Sequence, residues 1–398
     1  MNGSYQAVKI TDNVFWVGAI DWNIRDFHGY STNRGTTYNA YLVLGERPAL
    51  IDTVKESFAE EMMSRIASVI EPSKIKVIVS NHAEMDHSGS LGRAITEIRP
   101  EKIYASKMGV AALNAHFHQD WNIEAVADGS SVSLGSDKIT FLEARMLHWP
   151  DSMVSFLESG RVLFSNDIFG MHLASSSRFE DEVPDWFYEA SKYYANIILP
   201  YSGVVETFLK KFSASGLRPA IIAPDHGPVW RKDISRIVDL YAKFAAQKRA
   251  NKAVVVYDTM WGSTARLAGA AAEGLITEGA AVKVMPLQSH HRSDIMTELL
   301  DAGALLAGTP TLNKGIYPAM ADFMTYMKGL EPKGLAGNVF GSYGWAPHGT
   351  AELKQYFEKT GIEFAGTAVE CKYVPDSAAL EKAFELGRAV AKRIASYG

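Results

Sequence analysis

The sequence predicts an α/β protein of two domains, the second a doubly wound parallel sheet. Three observations carry that reading. The chain has 398 residues, too many for one ordinary core at roughly 150 residues per domain. After residue 250, short apolar runs alternate with amphipathic stretches, as βα units on a parallel sheet do. Before residue 250, the apolar runs instead keep ending in clusters of His, Asp and Glu.

In the first half, FWVGAI, TYNAYLVL and PALIDT, between Val14 and Thr53, read as strands separated by Gly and charged turn residues. Ser57 to Ile70 reads as helix. KVIVS is a short strand, LGRAITEIR a helix, KIYAS a strand, and RVLFSND and AIIAPDHG are further strands with polar ends. DISRIVDLYAKFAAQKRA closes this half as a helix. The boundary falls near residue 250, giving domains 1–250 and 251–398. Beyond it AVVVY, AVKVMPL, ALLAG and NVFGSYG are strands. TARLAGAAAEGLITEG, SDIMTELLDA and PAMADFMTYMKG are the helices between them, and further helices follow.

Composition excludes several function classes. With 47% hydrophobic and 21% charged residues the chain has the balance of a globular protein with sizeable cores. A net charge of -5 without any basic run offers no footprint for nucleic acid and no polybasic patch for a membrane surface. The start lacks the basic and continuously apolar regions of an export signal, and no stretch reaches the length needed to span a bilayer, so a cytoplasmic protein is expected. Cys371 is the only cysteine. That excludes an intrachain disulfide, a thiolate cluster and a CxxC redox pair, so an iron–sulfur or rubredoxin-type centre has to come from a partner.

The strand-end clusters point to metal. In NHAEMDHSGS, directly behind KVIVS, His82, Glu84 and Asp86 occupy every second position and His87 follows. In an extended segment the first three project to one side, and one loop could serve two ions. Later strand ends add His148 in MLHWPDSM, Asp167 in FSNDIFG and His226 in APDHGP. A carboxylate such as Asp167 can bridge two metals while imidazoles fill terminal positions. Four imidazoles and three carboxylates make an oxygen-rich site that suits iron, although ligand type alone leaves zinc open. His116, His118, His172, His290, His291 and His348 lack comparable partners and read as ordinary core or surface residues. His28 and Tyr30, in DFHGYST, are the candidates to line a pocket over the metals.

In the second half, TMWGST joins a buried strand to a helix. Thr259, Met260, Trp261, Gly262, Ser263 and Thr264 combine hydroxyls with the free amides of a helix start, a cradle for phosphate. The loop resembles the phosphate loop of flavodoxins, which bind FMN. Two further strand-end loops add Thr309, Pro310, Thr311, Leu312, Asn313 and Gly315, and Ser342, Tyr343, Gly344 and Trp345. Their glycines allow close backbone approach, and the aromatic rings suit stacking on an isoalloxazine. No GK[ST] follows a glycine-rich loop, which argues against a nucleoside triphosphate.

The HxExDH segment with the later His, Asp and His resembles the metallo-β-lactamase-like fold, an αββα sandwich, with Glu84 where hydrolases of that superfamily usually carry histidine. Both halves together resemble the flavodiiron proteins, or A-type flavoproteins, and FHGY, TTYNAYLV and DTVK resemble their rubredoxin:oxygen oxidoreductase branch. The resemblance implies a non-haem diiron centre with His82, Glu84 and His148 on one iron, Asp86, His87 and His226 on the other, and Asp167 between them. In some members the residue matching His87 is replaced by water. It also implies FMN, a head-to-tail homodimer or dimer of dimers, and reduction of dioxygen to water or nitric oxide to nitrous oxide. Electrons would come from rubredoxin or a similar small donor, or from a deazaflavin. Within the site, Asp225 and Asn166 are candidates to orient ligands. The rival is a dizinc hydrolase with an accessory flavodoxin-like domain, which metal analysis separates.

Overall fold

A computed structural model describes residues 5–397. Contacts divide the chain into two compact units. The first runs through His28 and takes Thr32–Tyr193 and Gly203–Ala242; the second takes Gly29–Ser31, Tyr194–Ser202 and the chain from Lys243 onward.

Two sheets form the heart of the first unit. One has seven strands in the order Val8–Lys9, Val14–Trp16, Tyr41–Val43, Ala49–Ile51, Val77–Ser80, Lys102–Ser106 and Ile123–Val126. The pairs along it are antiparallel as far as Ala49–Ile51 and parallel thereafter. The other has five strands, Ser131–Ser133, Lys138–Glu143, Met153–Leu157, Val162–Phe164 and Ile221–Ala223, antiparallel except for the last pair.

Strand alternation explains why the two sheets need opposite cover. Val77 and Val79 join Trp16, Tyr41 and Ile51 in one apolar cluster with Phe141, Leu157 and Phe164 of the second sheet. Ile78 points the other way, into a cluster with Leu42, Leu50, Met62, Ile66, Ala94 and Ile98. Helices Ala59–Ala67 and Leu91–Ile98 supply those last four side chains. KVIVS is therefore buried on both faces and reads as a continuous apolar run.

Backbone bonds tie the strand ends together. Met153 N donates to Asn81 O at 3.0 Å, Asp225 N to Asn166 O at 2.8 Å and Asn39 N to Asp225 O at 2.7 Å. Segments 81–90, 146–153, 165–170 and 224–228 are thereby gathered at one end of the sandwich.

The second unit holds a six-stranded parallel sheet. Ala281–Pro286, Ala250–Tyr257, Ala302–Pro310 and Ala336–Tyr343 lie in that order, and Glu363–Phe364 and Val369–Lys372 both pair with Ala336–Tyr343. Numbered within the unit and with the last strand in two pieces, the order is 2-1-3-4-5, that of a flavodoxin-like sheet. Helices Ser263–Thr277 and Ser377–Ile394 bury Leu267, Ala271, Leu275, Leu386 and Val390 in the core with Val255, Leu306 and Phe340. The two helices approach until their backbones touch. A Cβ at Gly274 would collide with the carbonyl oxygen of Phe384, and one at Gly387 with that of Ala271.

One local expectation changes. The segment after Glu84 is not extended: Met85–Ser88 forms a helical turn, with His87 N bonded to Glu84 O at 2.9 Å and Gly89 N to Met85 O at 2.9 Å. Strict alternation therefore ends at Glu84. The turn closes because Gly89 has no side chain, since a Cβ there would meet Met85 O and, at 2.8 Å, Glu56 N.

Candidate metal centre and flavin cavity

The turn at 85–88 sorts the six-residue motif into two groups. His82 and Glu84, before it, meet His148 and Asp167; Asp86 and His87, within it, meet His226. In each group one donor atom from every member lies within 4.8 Å of the others. Asp167 joins the groups. Its Oδ2 is 3.1 Å from His148 Nε2 and 3.3 Å from His82 Nε2, while its Oδ1 is 3.3 Å from His87 Nε2 and 3.5 Å from His226 Nε2. Glu84 Oε2 lies 3.2 Å from His148 Nε2, and Asp86 Oδ2 lies 3.2 Å from His226 Nε2.

These donors fit a metal pair better than they fit each other. Both oxygens of Asp86, both ring nitrogens of His87 and Oδ1 of Asp167 are buried without a hydrogen-bond partner. Buried polar atoms are rarely left so, and a cation would satisfy them. Electrostatics agrees. Burial alone would depress the imidazoles, yet the surrounding carboxylates raise them, His148 to about 9 and His87 to about 10. Burial likewise opposes the charge on Asp167, but His87, His148 and His82 hold it well below the usual carboxylate range. The cluster is primed to exchange protons for metal.

Neighbours fix the rings. His226 Nδ1 donates to the Thr37 carbonyl at 2.6 Å, while Asn39 Nδ2 donates to Pro224 O at 2.7 Å and Gly227 O at 3.0 Å, clamping the loop that carries His226. Asn166 Nδ2 donates to Met153 O at 2.8 Å. Asp225 is fully buried, 3.7 Å from His87 Nδ1. Asp151, on the same loop as His148, lies 3.0 Å from His82 Nδ1.

His28 places Nε2 3.4 Å from Glu84 Oε1 with its ring largely exposed. Tyr30 is buried within the second unit and outside this cluster. Three groups that sequence reasoning did not single out do belong here. Asp151 is one. His172 is buried with its ring 4.6 Å from that of His226 and 5.2 Å from that of Tyr193. Burial and the neighbouring His226 push its pKa well down. Burial, followed by the nearby Asp167 carboxylate, pushes the phenol of Tyr193 well above its ordinary range and keeps it protonated. The motif HWPDSM contained Asp151, but nothing local tied it to His82.

In the second unit the three strand-end loops surround a cavity of about 740 Å³. Met260, Trp261, Ser263, Pro310, Thr311, Leu312, Asn313, Ser342, Tyr343, Gly344 and Trp345 line it, and so do Lys314, Ala346, His348, Tyr373 and Val374, which sequence reasoning had not placed there. Trp261 is 93% and Trp345 84% exposed, the state of rings awaiting a planar partner. Thr259, Gly262, Thr264, Thr309 and Gly315 shape the loops instead of lining the cavity. Thr259 Oγ1 accepts from Gly262 N at 3.1 Å, Thr264 and Ser342 share a hydroxyl bond of 2.9 Å, and Thr309 Oγ1 accepts from Tyr317 N at 3.0 Å. Gly262 takes φ +83° and caps helix Ser263–Thr277 with no side-chain bond, leaving the first amides open to an anion. The cavity therefore fits a phosphate joined to a flat ring system.

Comparisons with known proteins agree in both halves. The ODP family beta lactamase model matches residues 36–227 and the flavodoxin model residues 255–387. A nitric oxide reductase of Moorella thermoacetica is 43% identical, covering 98% of this chain and 99% of that protein. The solved rubredoxin oxygen:oxidoreductase of Desulfovibrio gigas is 43% identical with a TM-score of 0.96, covering 98% of this chain and 99% of that one. A flavodiiron protein from Giardia intestinalis is 30% identical with a TM-score of 0.92, covering 98% and 97%. Among the described residues no helix is long and apolar enough to cross a membrane.

Proposed function

Because the chain belongs to the flavodiiron protein family, oxidoreductases that carry FMN and a non-haem diiron centre, we propose that it reduces dioxygen to water, nitric oxide to nitrous oxide, or both. Its electron donor is a rubredoxin or a similar small carrier, as the name of the Desulfovibrio gigas relative suggests. The dizinc hydrolase reading is not favoured, since these relatives are named as oxidoreductases or flavodiiron proteins over the whole chain.

The metal centre lies in domain 1–250 and the flavin in domain 251–398. His82, Glu84 and His148 would hold one iron, Asp86, His87 and His226 the other, with Asp167 shared between them. The observation that carries this reading is the division of Asp167, one oxygen toward each group. The FMN phosphate sits on the loop from Thr259 to Thr264, and its ring lies between the loops that carry Pro310 to Asn313 and Ser342 to Trp345. We place the enzyme in the cytoplasm as a head-to-tail homodimer or dimer of dimers.

When bound, the flavin passes on electrons singly and the iron pair delivers two to a diatomic. The chain supplies the rest. Burial of His82, His87 and His226 keeps bulk water from their donors, while His148 stays partly open. The Thr37 carbonyl fixes the proton on His226 Nδ1 and leaves Nε2 free for metal. Tyr193 keeps its proton on Oη beside Asp167, a donor available when the diatomic gains electrons. His28, at the exposed side of Glu84, is the further candidate to line the approach. Iron and flavin analysis of protein purified anaerobically tests the assignment: two irons and one FMN per chain are expected, and zinc without a yellow chromophore would overturn it.

A further inference from the structure

We propose that Asp151 is a positioning residue that sets one iron of the pair apart from the other, by holding a negative charge behind His82. The inference rests on His82 being an iron ligand, as proposed above.

Asp151 is buried, and its Oδ2 takes two bonds, from Ala83 N at 2.6 Å and from His82 Nδ1 at 3.0 Å. The first bond pins the carboxylate to the backbone beside its target. The loop itself is held from behind, because Ser106 Oγ donates to Asp151 O at 2.7 Å. With its Nδ1 proton directed to a carboxylate, His82 presents the Nε2 lone pair toward Glu84 and Asp167. A carboxylate behind a ligand imidazole makes it a stronger donor and favours the more highly charged metal.

Among the described residues no other ligand ring has a hydrogen bond from its Nδ1 to a carboxylate. His226 Nδ1 meets a neutral carbonyl, that of Thr37. His87 Nδ1 stands 3.7 Å from Asp225 and makes no hydrogen bond. The first ligand sets are otherwise alike, two imidazoles and one terminal carboxylate on each side of Asp167. The difference between the positions therefore comes chiefly from Asp151, and the iron on Asp86, His87 and His226 accepts the first electron.

The isosteric change Asp151→Asn separates charge from shape. Both accepted bonds use one oxygen, so an amide carbonyl can keep them while the charge is lost. Iron and FMN content, Mössbauer spectra of protein enriched in ⁵⁷Fe and an anaerobic redox titration are compared with the parent. We expect both irons retained, a changed spectrum for one of the two, and a higher potential for that one only. Its affinity for ferric iron should fall about 10- to 100-fold relative to ferrous. Two irons with spectra and potentials equal to the parent's would overturn the inference, as would an equal shift in both. A parent that binds no iron pair would instead overturn the ligand assignment. Should the Asn variant not accumulate, the parent loaded with zinc and ¹⁵N-labelled at histidine decides. His82 Nδ1–H should give an imidazole proton moved well downfield by its carboxylate partner, and a His82 Nδ1 without a proton, or with one at the position of an unbonded imidazole N–H, would sink the idea.

Discussion

His87 turns its Nε2 to Oδ1 of Asp167 at 3.3 Å, inside the buried cluster and not away from it. The ring belongs to the helical turn Met85–Ser88, which Gly89 allows to close. His87 therefore stands with Asp86 and His226 in the group that we propose holds the second iron. Replacement by Ala is expected to remove iron from that position, lowering iron per chain from two toward one in elemental analysis, with FMN content unchanged.

Glu84 is where the site departs from a hydrolase-like pattern. Its carboxylate lies 3.2 Å from His148 and 3.3 Å from His82 at their Nε2 atoms. Replacing it by His exchanges a hard oxygen donor for a nitrogen and takes a negative charge from the pair. Iron retention and anaerobic nitric oxide turnover should both fall, by about tenfold or more, the scale on which changes to a ligand's hydrogen-bond partners act. Unchanged loading and turnover would remove Glu84 from the site.

Removing the metals should destabilise the first domain and make reloading depend on protons. His148 and His87 are raised to about 9 and 10 by the carboxylates around them, so at neutral pH without metal they are protonated. Ferrous iron added to weakly buffered metal-free protein should release protons, and its apparent affinity should weaken as pH falls. Calorimetry should show a lower Tm for the metal-free form, because a ligand that binds only the folded state stabilises it.

The loop Thr259–Thr264, proposed to hold the FMN phosphate, turns at Gly262 with φ +83°. Alanine there has open space for its Cβ but pays about 1–2 kcal/mol for the left-handed backbone. If the loop relaxes, the helix-start amides lose their aim. FMN affinity, followed by flavin fluorescence during reconstitution, should weaken roughly tenfold, with iron content unaffected.

The packing of the second unit makes a separate prediction. Gly274→Ala drives a methyl into the carbonyl of Phe384, which is backbone and cannot rotate away. Helices Ser263–Thr277 and Ser377–Ile394 must separate, at a cost of about 1–3 kcal/mol. Urea denaturation followed by circular dichroism measures it.

Much of this molecule is readable from its chain because its chemistry sits at strand ends. Apolar runs such as KVIVS and AIIAP mark strands, and the polar residues that follow them emerge at strand ends, where His82, Asp167 and His226 lie. The loops around the flavin cavity follow from the same rule in the second sheet. What stayed hidden was set by contacts between distant segments. Asp151 and His82 are 69 residues apart, and His172 looks unpartnered until the fold brings its ring to His226. Lys314 reaches the cavity of the second unit through a left-handed turn at Asn313 and Lys314 that no periodicity announces. The helical turn at 85–88 escaped because four residues are too few to show a helical period.

The most direct test of the account is side-by-side consumption of dioxygen and nitric oxide by the anaerobically reduced protein, loaded with iron and FMN. The account predicts that at least one gas disappears in stoichiometric single turnover and that turnover continues when reduced rubredoxin is supplied. A fully loaded, fully reduced protein that consumes neither would contradict it.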